Sequence, residues 1–160
     1  MNEFTAKKLG EVYAFIKVGG DQFKRSRAAL ASVMAEVELE RVTQTYVEHL
    51  QGMGEVLQTA PLTAIITATA EVTGDKLLAM AQVYMNKESD WDDTSEVLEW
   101  LGFFEGGAII HLALVESAAR ELELGELSTL VGAAADFHRS LLAEIEIAIA
   151  ALVRSKALTS

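Results

Sequence analysis

Apolar positions recur along this chain at intervals of three and four residues, and no segment alternates with a period of two. That spacing predicts helices throughout and an all-α class. A first helix is predicted from Glu3 to Val18, with Leu9, Val12, Tyr13 and Ile16 on one face and Gly19-Gly20 as its stop. A second, long helix follows from Asp21 or Ser26 to Thr59, ending before Pro61. The third runs from Pro61 to about Lys87, because proline suits a first helical turn. After the polar stretch NKESDWDD, the run Asp93-Thr94-Ser95-Glu96 has the form of a capping box and opens the fourth helix. Gly125 is expected to close it, and a fifth helix reads from Glu126 to about Lys156.

Four long helices joined by short connections pack most simply as an antiparallel up-down four-helix bundle, with the short N-terminal helix added across it. A chain of 160 residues fits a single helical-bundle domain, residues 1–160, with a core of its own. The stretch EIEIAIAALV sets isoleucine at 145, 147 and 149, a stripe too wide for one packed seam. Its excess width implies a second burial partner, either the first helix or another copy in a homodimer.

Composition narrows the function classes. The net charge of -11 argues against general nucleic-acid binding, which needs clustered cations. Residues 1–27 hold six basic against three acidic groups, so only the corner Lys24-Arg25-Ser26-Arg27 offers an anion a foothold. No uncharged stretch is long enough to suggest a membrane span. The segment after Lys7 and Lys8 is broken by Glu11 and Lys17, unlike a secretory leader, and there is no cysteine. The expectation is a cytoplasmic protein with no disulfide framework.

Histidine supplies the candidate chemistry. His111 stands in FFEGGAIIHLALVE, among residues that read as a core face, and His138 lies among Ala134, Ala135, Leu141 and Ile145. His49 shares a face with Val42, Tyr46, Met53 and Val56. Counted from the turns at Pro61 and Gly125, the three lie 12, 14 and 13 residues deep, a spread of roughly 3 Å at the helical rise. Glu71, the one charge between Glu55 and Asp75, falls near the same depth on the third helix.

Three imidazoles and a carboxylate in one layer would suit a divalent transition metal such as iron, zinc, copper or nickel, bound by His49, Glu71, His111 and His138. Asp75 and Glu116 are then the candidates for an extra ligand or for orienting a ring. Such an ion would act as a Lewis acid or redox centre.

Known metal bundles are not matched. Ferritin-like di-iron proteins carry Glu-x-x-His, whereas Tyr46, Ala108 and Ala135 precede these histidines by three. Hemerythrins need more histidines than the three present. Histidine phosphotransfer bundles carry His-x-x-Lys-Gly, and here the run is His49-Leu50-Gln51-Gly52, so a phospho-acceptor role requires His49 to face solvent. The alternative without a site is a homodimeric structural or protein-interaction module.

Overall fold

A computed structural model describes residues 1–158. The helices are α1 (Glu3–Arg25), α2 (Arg27–Leu30), α3 (Glu36–Thr59), α4 (Thr63–Tyr84), α5 (Thr94–Glu121) and α6 (Gly125–Leu158), with a 3-10 turn at Glu88–Asp92. The described residues contain no strand, so the all-α expectation holds. The closest pairs are α5 with α6 and α1 with α4; α1 also packs on α3 and α5, and α3 on α6.

The N-terminal helix is the main departure from expectation. Asn2 caps it, its side chain accepting from the Thr5 amide at 2.9 Å. It then runs through Gly19 and Gly20 to Arg25, and both glycines are buried. A helical glycine costs about 1 kcal/mol relative to alanine. Here it is needed for space: a Cβ at Gly19 would stand 2.8 Å from the Phe104 ring and 2.9 Å from the Tyr46 hydroxyl. Gly20 lies against the same tyrosine. The pair is a seat for a side chain of α3, not a stop.

The predicted helix from Asp21 or Ser26 to Thr59 is correspondingly broken. Ser26 ends α1, its hydroxyl donating to the Gln22 carbonyl at 2.9 Å, and it makes no side-chain cap on α2. The chain turns through 31–35 before α3 starts, where the Ala35 amide donates to Glu38. The basic corner is answered by acids. Arg25 pairs with Glu88 and lies 4.3 Å over the Trp91 ring, while Arg27 reaches Glu36 and Glu40.

Further boundaries differ by local geometry. Pro61 lies in the turn before α4 instead of in its first turn, with Leu62 left-handed at φ 65°. The end of α5 is marked by Glu123 at φ 54°, and Gly125 opens α6. Asp93 caps α5 as the sequence predicts, accepting from the Ser95 and Glu96 amides.

The core centres on α1, α5 and α6, with Phe23, Trp100 and Phe104 fully enclosed. Each such side chain contributes about 1.5–3 kcal/mol through burial. By length and composition α5 is apolar enough to cross a membrane, yet here it packs between α1 and α6. In α4 only Ile66, Leu77 and Ala81 are buried. It rests on α1 at Gly10, where a Cβ would strike the Ile66 carbonyl.

Candidate functional site

Two polar clusters interrupt the apolar packing. The first is enclosed. Tyr46 of α3, Glu105 of α5 and His138 of α6 are each buried, Glu105 and His138 at 0% exposure. The Tyr46 hydroxyl donates to Glu105 Oε1 at 2.6 Å, and His138 Nδ1 donates to Glu105 Oε2. Burial first, and the charge of Glu105 second, hold the Tyr46 phenol well above the ordinary tyrosine range, so it remains a donor. Both carboxylate oxygens are thus satisfied, as a buried charge requires. His138 Nε2 has no hydrogen-bond partner among the described residues.

His49 borders this cluster without joining it. Its ring meets Phe137 edge-on at 5.3 Å, and His138 meets the same phenylalanine at 5.1 Å. His49 is half-buried, with Nδ1 enclosed and unbonded. Burial first, then the neighbouring His138, push it below the ordinary histidine value.

The second cluster opens to solvent between α1, α4 and α5. Phe15, Leu77, Met80, Trp100, Phe103 and Phe104 wall a cleft of about 330 Å³, with Glu11, Lys76 and His111 among its polar lining. That volume falls within the range of small-molecule sites, roughly 300–1,000 Å³. His111 Nδ1 lies 2.8 Å from Glu11 Oε2, and its ring packs on Phe15 at 4.7 Å. Lys8 holds both Glu11 oxygens, at 2.9 and 2.8 Å. Lys76 makes no ion pair among the described residues. Gly107 lets Phe15 approach, a Cβ there lying 3.3 Å from its ring.

The layer expected of His49, Glu71, His111 and His138 is not assembled in this structure. His49 and His138 are neighbours across Phe137, but His111 is held on the α1 side by Glu11. Glu71 and Asp75 are exposed on α4 and line a different cleft with Lys17 and Asp21. Glu116 pairs with Arg120 one turn along its own helix. Among the described residues, no three His, Asp or Glu side chains converge closely enough to hold an ion.

Helix phase is the reason. His111 follows Glu105 by six residues, which at 3.6 residues per turn is about 240° around α5. The inward carboxylate is therefore Glu105. Its signal in the sequence is a lone charge inside LGFFEGGAII. Tyr46 and Glu11 carried no comparable mark, since their roles arise only when helices distant in sequence meet.

Chemically, the Glu11–His111 pair orients an imidazole, the arrangement a general base needs. No serine or threonine hydroxyl bonds to that ring among the described residues. Compared with models of known protein families, with curated proteins and with solved structures, the chain matches none.

Proposed function

We propose that this protein is a helical-bundle binding protein that takes a small, mainly apolar molecule into the cleft between α1, α4 and α5. The observation that carries this reading is one concave, aromatic-walled space with an ordered imidazole among its lining residues. We read the architecture as a four-helix bundle of α1, α3, α6 and α5, with α4 as the added helix against α1. The helix pairings support that reading, as does the buried cluster, which draws Gly19, Tyr46, Glu105 and His138 from those four helices.

The test is binding of the neutral fluorescent probe N-phenyl-1-naphthylamine. Wild type should bind one probe per chain, and Gly107→Leu, which fills the cleft, should weaken binding about tenfold, or 1.4 kcal/mol. Absence of binding to wild type, or equal binding by a folded Gly107→Leu, overturns the reading.

A second reading, a homodimer, is favoured by the exposed Val83 of α4 and Ile110 of α5, at 79% and 64% exposure. A metal role would centre on His138 and His49, which pack on the same Phe137 ring and each carry one enclosed, unbonded nitrogen.

A further inference from the structure

We propose that the molecule taken by the cleft is an apolar monocarboxylate, aliphatic or aryl, whose carboxylate is held by His111 and Lys76. This rests on the binding reading above and specifies its ligand.

The polar groups decide the head group. Glu11 is fully engaged: Lys8 takes both oxygens, and Oε2 also accepts from His111 Nδ1. The imidazole is thereby fixed in the tautomer that carries hydrogen on Nδ1, leaving Nε2 for a ligand. A carboxylate arrives without a proton, so one taken from solvent onto Nε2 bridges it to the ring. The product is a carboxylate facing an imidazolium, whose new charge Glu11 offsets from the other side.

Lys76 stands on the α4 wall with no ion pair among the described residues. Lys8 is taken up by Glu11 and does not line the cleft, so Lys76 is the lining cation left to meet a ligand, on a chain whose net charge is -11. A small anion finds in Lys76 a positive contact on an acidic chain. An amine would meet Lys76 as a like charge. An alcohol would leave Lys76 without a counterion. The walls of Met80, Trp100 and Phe103 select against small hydrated anions and require an apolar body.

The experiment is displacement of N-phenyl-1-naphthylamine by decanoate, 1-decanol and decylamine. Decanoate should displace the probe at about one-tenth the concentration of decanol, with decylamine weakest. Lys76→Met and His111→Gln should each weaken decanoate about tenfold and leave decanol unchanged. Lys76 is exposed, so its variant tests the idea even where His111→Gln disturbs packing on Phe15. Equal displacement by decanoate and decanol, or equal loss of both in Lys76→Met, overturns the acid assignment while the cleft reading stands. Failure of the probe itself to bind overturns both.

Discussion

Tyr46 and His138, on helices α3 and α6, donate to opposite oxygens of the same carboxylate, that of Glu105 on α5. All three groups are enclosed, so the charge is solvated by the protein alone. Removing the carboxylate leaves both donors buried and unsatisfied, whereas removing the carboxylate and His138 together leaves only the Tyr46 hydroxyl unpaired.

Glu105→Leu should therefore destabilise the fold by roughly 3–5 kcal/mol, and Tyr46→Phe by about 1.5–3 kcal/mol. The double variant Glu105→Leu with His138→Leu should recover part of the loss. Urea unfolding midpoints of wild type and these three variants check this, and a double variant no more stable than Glu105→Leu would contradict it.

Gly19→Ala should destabilise by about 1–3 kcal/mol, because its methyl meets the Phe104 ring and the Tyr46 hydroxyl. Gly106→Ala, on a helix with nothing within 4 Å of the added carbon, should stabilise by about 0.5–1 kcal/mol. Helix propensity alone would give both the same sign, so thermal melts of the pair separate packing from propensity.

His49 is held below its ordinary value near 6.5. The unfolded chain then takes up a proton first as pH falls, so this residue's contribution to stability is intact above about 6.5 and declines as pH drops through the lower, folded-state value. His49→Gln should flatten the slope of urea midpoint against pH between about 7.5 and 5. An unchanged slope would show that His49 is not its source.

His111→Ala should lower affinity for the cleft's ligand and leave the metal content of untagged protein unchanged, because Glu11 holds that ring away from His138. Elemental analysis beside probe titration checks the two arms together.

Self-association through the exposed α4 and α5 faces would be abolished by Val83→Glu with Ile110→Glu, at little cost to thermal stability since both side chains are largely in water. Light scattering of wild type and variant gives the answer directly.

Periodicity made the helices legible, and Asp93 was legible as a cap because capping is local chemistry. The inward position of His138 was equally readable, from the apolar residues around it. Gly19-Gly20 was misleading for a reason of scale: sequence carries glycine's local preference, but the Tyr46 ring it accommodates arrives from another helix. Glu105 and His111 exchanged roles because a core face and a cleft-facing strip of one apolar helix look alike until its neighbours are placed. Tyr46 and Glu11 belong to contacts between distant segments, which no local pattern encodes.

Helix α4 has a consequence for how the cleft fills. It is held by few enclosed side chains, chiefly Ile66, Leu77 and Ala81, and by the backbone approach at Gly10. Such an element detaches more readily than the whole chain unfolds. On the proposed binding role, the wall carrying Lys76 would double as a door, and a guest bridging it to His111 would act as the latch. Amide hydrogens of α4 should exchange fastest when the cleft is empty and slow down once it is occupied.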